Sequence, residues 1–420
     1  MAELVWRGKG RARRARPLAL RDDELHGGGA PGNRLVHGEA ERVLPALLPA
    51  LAGKVALVYV DPPFDTGGSF DYLAAVPGER ARVAVPAYRD ARGLDTWLAW
   101  FHGLARDLEA LLADGGSLYV HLDAHAAHYA KVVLDEVLGA GAFQREIVWR
   151  IGWISGFKSR ARSWIRNHDT ILYYAKGGRP ATFHKALAPY PPGYVRRDGA
   201  PPRGRGIPLD DVWNASAADR LDSIQIVSFS GEKVGYPTQK NEALVSRIVQ
   251  ASSNPGDLVL DCCAGSGTTP VVASRLGRRW IACDASPVAI HVARRRLLSL
   301  AEPAAFVLQR GARARAEERE LGVRVERIGR EVAIELASYA MPPVPGAPRR
   351  GGLRWIEGWS VDWEGRQGPL RAATSLWRSR RGELAMRVVQ AAADAPRAVR
   401  VRAYDALGGQ GTARVPLGSA

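Results

Sequence analysis

The chain has 420 residues, is 46% hydrophobic and carries a formal net charge of +16. This length allows a large core and more than one domain. The longest apolar stretches fall far short of the roughly 18 residues of a membrane span. The basic start (Arg7, Lys9, Arg11, Arg13, Arg14, Arg16) is not followed by the apolar stretch of a secretory signal, so a cytoplasmic, non-membrane protein is expected. The three cysteines, Cys262, Cys263 and Cys283, have neither zinc spacing nor a disulfide framework, so no metal is expected. The positive charge fits either an arginine-rich solvated surface or a polyanionic partner, and nucleic acid is the preferred reading.

Residues 1–30 are basic, Gly-rich and aperiodic, and read as a poorly ordered arm. A short strand from Asn33, a helix at 40–50 and a strand at 55–60 follow. Residues 65–92, rich in Gly, Pro and charge, read as a long loop. The next helix is expected to be capped by Asp95, with Trp97, Phe101, Leu104, Leu108, Leu111 and Leu112 on one buried face. Strand 117–122, helix 127–138 and strands 145–150 and 170–175 continue an α/β alternation. Residues 177–235 are irregular. A helix at 240–252 precedes a βαβ unit: strand 257–261, helix 268–276, strand 279–284 and helix 287–299. Strand-like runs at 304–309, 322–327 and 331–336 lead to a Pro-rich joint at 341–348. Residues 349–420 read as a small, sandwich-like β module.

Two loops at strand ends carry the chemistry. Asp261-Cys-Cys-Ala-Gly265-Ser-Gly267-Thr-Thr269 follows Leu258-Val-Leu260. Its glycines allow a tight turn and close approach of backbone N–H groups to a ligand. Pro270 stands where a dinucleotide fingerprint needs Gly or Ala, which argues against NAD. Asp284 ends the next strand and either caps the following helix or accepts the ribose hydroxyls of a nucleoside. S-adenosylmethionine suits such a loop, with Asp261 near its ammonium group.

The second loop, Asp61-Pro62-Pro63-Phe64, lies 200 residues upstream and follows Val55-Ala-Leu-Val-Tyr-Val60. Prolines stiffen it and leave carbonyls as acceptors. Asp61 and the Pro62 carbonyl can each accept one N–H of an exocyclic base amino group, and Phe64 can stack on the base. A base reached in this way has left the duplex. A plain turn with a buried Phe is the alternative.

Together the motifs resemble those of the amino-group DNA methyltransferases. Val60-Asp-Pro-Pro-Phe-Asp-Thr-Gly-Gly68 is similar to their catalytic motif IV, Asp261–Thr269 to motif I, and Tyr236-Pro-Thr-Gln-Lys240 to motif X. Asn33–Glu39 and His168-Asp-Thr-Ile-Leu172 resemble further elements of these enzymes. The catalytic-before-cofactor order is that of the permuted β-type class, and the likeness covers residues 33–300. It implies an α/β, Rossmann-like sheet with helices on both faces and methyl transfer from S-adenosylmethionine to a base amino group in DNA. Asp61 would be the acceptor, Pro62 and Pro63 would shape the loop and Phe64 would stack. Asp261, Cys263, Gly265, Ser266, Gly267 and Thr268 would form the cofactor loop, Asp284 would hold the ribose, and Thr238, Gln239 and Lys240 would line the methionine end.

The Asp-initiated motif leans toward the 6-amino group of adenine. The rivals are a cytosine 4-amino methyltransferase, a non-catalytic cofactor- or nucleic-acid-binding subunit, and an enzyme acting on RNA or a protein amide. The family usually has an aromatic where this chain has Cys263, Pro at Cys262 and Pro at Asn241; the first of these departures predicts modest cofactor affinity.

Residues 145–166 interleave Arg145, Arg150, Lys158, Arg160, Arg162 and Arg166 with Trp149, Trp153, Phe157 and Trp164, a nucleic-acid pattern. The DNA-binding set is Arg150, Trp153, Lys158, Arg160, Arg162, Arg166, Arg196 and Arg203. The expected organisation is an arm at 1–30, a permuted methyltransferase domain at 31–300 with a target-recognition insert at 177–235, a strand extension and linker at 301–348, and the β module at 349–420. A restriction enzyme or a second copy is a candidate partner, and a nucleoid-associated cytoplasmic location is expected.

Overall fold

The computed structural model describes residues 3–10, 15–28, 31–76, 81–151, 160, 162–214, 219, 232–311, 318–343, 352–379, 382–391 and 398–417. Its centre is an eleven-stranded mixed sheet. Strand Val55–Val60 lies in the middle of this sheet. It pairs in parallel with Leu258–Asp261 on one side and with Leu112–Leu122 on the other. Beyond Leu258–Asp261 come Arg279–Asp284, Asn33–His37 and Phe306–Gly311, all parallel. Beyond Leu112–Leu122 come His168–Ala175 and Phe143–Arg150, each antiparallel to its predecessor.

Side chains of the central strands alternate between two cores, as the period of two requires. Val58, Val60, Leu260, Ile281 and Cys283 face one core with helices Ala40–Leu51, Leu94–Leu111 and Ala127–Leu138. Leu57, Tyr59, Val259, Trp280 and Ala282 face the other, under helices Glu242–Ala251, Thr268–Arg275 and Pro287–Leu298. The expected sheet with helices on both faces is therefore present. Asn33 staples three strands: its amide donates to the Ala305 carbonyl at 2.9 Å and its oxygen accepts the Trp280 N–H at 2.9 Å.

The chain leaves Leu258–Asp261 toward one half of the sheet and Val55–Val60 toward the other. This is the switch point at which open α/β sheets leave a crevice outside the carboxyl ends of their strands.

Three sequence expectations need correction. Part of the expected N-terminal arm is the strand Leu20–His26, antiparallel to Phe306–Gly311. Its buried positions are Glu24 and His26, so no apolar alternation marks it. Residues 65–92 are not a long loop: they hold a β-hairpin of Gly68–Ala75 and Arg82–Asp90. Its inner face, Tyr72, Ala74, Val83 and Ala87, packs with Tyr236, Val288 and Trp355. The helix at Leu94–Leu111 begins at Gly93 without a side-chain cap, and Asp95 sits in its first turn.

The β module also starts earlier than residue 349. Strands Leu321–Ile328, Glu331–Tyr339 and Arg387–Ala391 form one sheet; Ile356–Asp362, Thr374–Trp377, Ala398–Asp405 and Gln410–Pro416 form the other. The two enclose a core containing Val332, Ile334, Trp359, Val399 and Val401. Its strand Leu370–Ala372 extends the main sheet beside Leu20–His26.

The junction between module and main sheet is polar. Glu24 accepts from Arg294 and Arg402, both at 2.9 Å, from His26 at 2.8 Å and from the Tyr404 hydroxyl at 3.1 Å. Burial opposes the charge of Glu24, yet Arg294, His26 and Arg402 hold its carboxyl well below the usual range. The module is thus built into the edge of the sheet. Among the described residues no helix is long and apolar enough to cross a membrane, and no group of His, Cys, Asp and Glu has the arrangement of a metal site.

Candidate active site

The Asp61 loop and the glycine loop emerge side by side because their strands are parallel neighbours, with Leu57 opposite Val259 and Val58 opposite Leu260. Between them lies a cleft of about 420 Å³, lined by Asp61, Pro62, Pro63, Phe64, Thr238, Gln239, Lys240, Asp261, Cys263, Gly265, Ser266, Thr268 and Asp284. The cleft thus brings together the expected catalytic residues and all but one of the cofactor residues.

Gly267 is the exception. It has φ +76°, and a Cβ there would come within 2.6 Å of Ala293, so its smallness lets the loop meet the helix Pro287–Leu298. Gly265 has φ +50° and faces Tyr236, whose ring would lie 3.3 Å from a Cβ at that position.

The glycine loop is tightly held. Asp261 accepts the Cys263 N–H at 3.0 Å and the Thr269 hydroxyl at 2.6 Å. Asp284 accepts the Gly265 N–H and the Ser286 N–H, both at 2.8 Å. Asp284 therefore shapes the loop and opens the next helix while also lining the cleft. Arg296 donates to the Ser266 carbonyl at 3.0 Å and to the Thr268 hydroxyl at 3.0 Å, and the Thr268 hydroxyl donates to the Lys240 carbonyl at 3.1 Å. Burial pushes Asp261 up to about 7 and raises Asp284 as well. The thiols of Cys263 and Cys283 are likewise pushed well up, Cys263 by its contact with Cys262 and by burial, Cys283 by burial.

The Asp61 loop is held from behind. The Pro63 carbonyl accepts the Trp97 indole N–H at 2.7 Å. Phe64 stacks toward His121, with ring centroids 6.5 Å apart. His121 is buried between the Tyr59 hydroxyl at 2.9 Å and Asp169 at 3.3 Å. Burial works against the charge of Asp169, but His121 and Arg166 hold it down to about 2.

Asp65, at φ 61°, is fixed by exchange with the hairpin. Its N–H donates to Asp90 at 2.7 Å, and its carboxylate accepts from Arg92 N–H at 2.6 Å and Gly93 N–H at 2.9 Å.

The Pro-Thr-Gln-Lys segment lines the cleft and is also bonded to its surroundings. Gln239 is buried, accepts from the Val234 N–H at 3.0 Å and donates to the Glu232 carbonyl at 2.6 Å, so it braces its own loop. The Thr238 hydroxyl pairs with the Tyr88 hydroxyl at 3.1 Å. The Lys240 ammonium donates to Asp61 Oδ2 at 2.5 Å, while Asp61 Oδ1 is buried with no hydrogen-bond partner among the described residues.

Sequence reasoning missed Tyr88, Asp90, Arg92, Trp100 and the acidic pair Glu39 and Glu41, which also line the cleft. Tyr236, although inside the quoted motif, was given no role. It places an aromatic ring on the cleft wall, where Cys263 supplies none. The unbroken apolar run Val83-Ala-Val-Pro-Ala-Tyr88 was the available sign of the second hairpin strand.

The expected DNA-binding residues divide. Arg150 ends strand Phe143–Arg150 at the edge of the sheet that carries the cleft, and the chain returns to that edge at His168. Arg160, Arg162 and Arg166 lie on this connection. Arg166 pairs with Asp169 and with Asp123, and Trp164 is fully exposed. Trp153, Phe157 and Lys158 lie outside the described residues. Trp149 is buried against His121 and is a core residue, not a base contact. Arg196 pairs with Asp198 at 2.9 Å, and Arg203 is exposed; both lie on the excursion between Ala175 and Val212.

Comparison with known proteins bears on the family. The DNA methylase family model, of the N6/N4 methyltransferases, matches residues 55–295. DNA adenine methyltransferase YhdJ of Escherichia coli (strain K12) is 27% identical over 285 residues, spanning 64% of this chain and 84% of that protein. Type II methyltransferase M1.MboII of Moraxella bovis is 31% identical over 237 residues, spanning 51% of this chain and 88% of that one. Among solved structures, M1.HpyAVI in complex with SAM aligns with a TM-score of 0.41 at 21% identity, over 64% of this chain and 99% of that one. With the family match covering more than half of its length, the chain belongs to the DNA methylase family of N6/N4 amino-group methyltransferases.

Proposed function

We propose that this enzyme methylates the 6-amino group of adenine in DNA at a specific sequence, with S-adenosylmethionine as methyl donor and the target base turned out of the duplex. The observation that carries the reading is Asp61 Oδ1. A buried carboxylate oxygen without a donor is costly and rare in a native structure, and this one sits in the cleft wall beside the cofactor loop. An amino N–H from a base satisfies it. Phe64, backed by His121, offers the base a ring face.

The cleft suits the donor electrostatically. Glu39, Glu41, Asp61, Asp90, Asp261 and Asp284 line it, against Arg89, Arg92 and Lys240. An acidic cleft in a chain of net charge +16 favours a ligand carrying sulfonium and ammonium charges. Bound there, S-adenosylmethionine supplies a methyl group already attached to an excellent leaving group. The protein's task is then alignment of the amino nitrogen. Asp61 orients one N–H, the Pro63–Trp97 bond steadies the loop, and the Asp284–Gly265 bond keeps the cofactor turn in shape.

Support for adenine is the Asp-initiated tetrapeptide and the likeness to a relative named as an adenine methyltransferase. Support for DNA as partner is the family itself and the arginines at 150–166 on the cleft edge. A cognate restriction enzyme is a further part of this proposal, consistent with the type II names of several relatives; self-association and a place on the nucleoid are proposed with it. The test is transfer of a labelled methyl group to unmethylated DNA, followed by digestion to nucleosides and mass spectrometry. N6-methyladenine supports the reading, N4-methylcytosine replaces it with the cytosine enzyme, and no transfer by the native chain sinks it.

A further inference from the structure

We infer that Lys240 is a positioning residue for Asp61, not a contact for the cofactor; the inference rests on Asp61 being the acceptor proposed above. The Lys240 ammonium meets Asp61 Oδ2 at 2.5 Å and its own loop at the Thr238 carbonyl, 3.3 Å away, and lies 5.6 Å from the centre of the Phe64 ring. Both the Asp61 and Lys240 side chains are largely buried, 16% and 10% exposed. Each of these contacts points toward the catalytic tetrapeptide or back to the chain that carries Lys240.

That chain is braced to hold this aim. Thr238 has φ 54°, an uncommon value for a non-glycine residue, and its hydroxyl meets Tyr88. Gln239 is bonded at both ends of its amide to residues 232–234. The Lys240 carbonyl accepts the Thr268 hydroxyl, which ties it to the glycine loop. Asn241 caps the following helix by accepting the Leu244 N–H at 3.0 Å. Strained backbone persists where its surroundings over-determine it, and such sites cluster at functional positions.

Two consequences follow for Asp61. With Oδ2 engaged, Oδ1 is the acceptor left for an amino N–H, so Lys240 sets the direction in which the base must present its hydrogen. Lys240 also supplies the opposite charge that Asp61 needs. Asp61 opposes the ionisation of Asp261, Tyr59 and Tyr88 around it, and Arg89 and Arg92 line the same cleft. Asp169, which faces Lys240, has His121 and Arg166 as its own partners. Without the ammonium, Asp61 Oδ2 would lose its hydrogen-bond donor and the cation beside it.

The test uses the full-length protein with Lys240→Met and Lys240→Arg, with Asp61→Asn as reference. Single-turnover methyl transfer is followed from pH 5 to 9 at saturating DNA and donor, and donor affinity is measured separately by calorimetry. A melting curve for each variant establishes that it is folded. Lys240→Met is expected to lose on the order of 100-fold in rate at neutral pH, as for a misplaced reacting group. Its acid-side fall in rate should move up by about one pH unit or more, while donor affinity changes by less than about threefold. Lys240→Arg keeps the charge and should restore the native acid side, with partial recovery of rate. An unmoved pH profile for Lys240→Met overturns the inference. If donor affinity falls about tenfold as well, Lys240 serves the cofactor instead. An active Asp61→Asn protein overturns the reading of Asp61 itself, separately from Lys240.

Discussion

The two walls of the cleft differ in how completely their carboxylates are used. On the glycine-loop side, Asp261 and Asp284 have both oxygens bonded, to Cys263 and Thr269 and to Gly265 and Ser286. On the catalytic side, Asp61 has one oxygen on Lys240 and the other without a partner among the described residues. A saturated wall is a mould whose shape is set before any ligand arrives. An unsaturated wall is incomplete until a donor binds. The first arrangement suits a cofactor bound at every turnover. The second suits a base amino group admitted only after the base leaves its duplex.

Breaking the unsaturated wall should cost most. Asp61→Ala is expected to lower the methyl-transfer rate by about 10²–10⁴-fold with little change in donor affinity. Equal rates for variant and native protein in a labelled-donor assay would remove Asp61 from the chemistry. Breaking the saturated wall should act on binding and stability together. Asp284→Ala leaves the Gly265 and Ser286 N–H groups without their acceptor, at roughly 1–3 kcal/mol each. Donor affinity should fall by one order of magnitude or more, and the melting temperature should drop. A variant that binds the donor normally would show that Asp284 serves only the local fold.

The third prediction concerns pH. Burial raises Asp261 from its ordinary 3.8 to about 7. A carboxyl raised on folding is protonated more readily in the folded chain, so its contribution to stability is full below pH ~4 and is lost as pH rises through about 7. The donor-free protein should therefore melt at lower temperature at pH 8 than at pH 5 as far as this group is concerned. A cationic ligand reverses the preference, so donor affinity should increase across the same window, with proton release on binding. Asp261→Asn should flatten both trends, and calorimetry in buffers of different ionisation enthalpy reads the proton directly.

The smallest effects belong to the rim. Arg162 and Trp164 are exposed on the connection that returns to the cleft edge at His168. Arg162→Ala should leave melting and donor affinity unchanged and reduce the salt dependence of DNA binding by about one phosphate contact. Trp164→Ala should weaken DNA binding without altering the melting temperature, since that indole is fully exposed. A melting shift in either variant would mean that the rim is structural.

Much of this was legible in the chain itself. Strands Val55–Val60 and Arg279–Asp284 lie where their sequence expectations put them, and the strand and helices around the glycine loop shift by only a residue or two. Apolar periodicity and turn residues mark these elements locally. Legibility failed where burial is carried by charge or by distant partners. Leu20–His26 joins the main sheet through Glu24 and His26, whose burial depends on Arg294, Arg402 and Tyr404 far along the chain. Trp149 looked like a nucleic-acid aromatic because its neighbours are arginines, but strand alternation turns it inward.

The sequence by itself determined which segments end in reactive loops and to which family they belong, because both are written in short runs of adjacent residues. Only the tertiary structure decided that Val55–Val60 and Leu258–Asp261 are neighbours, that Lys240 reaches Asp61, and that the β module is built into the sheet edge. Pairing across some 200 residues depends on register and packing that no local pattern encodes.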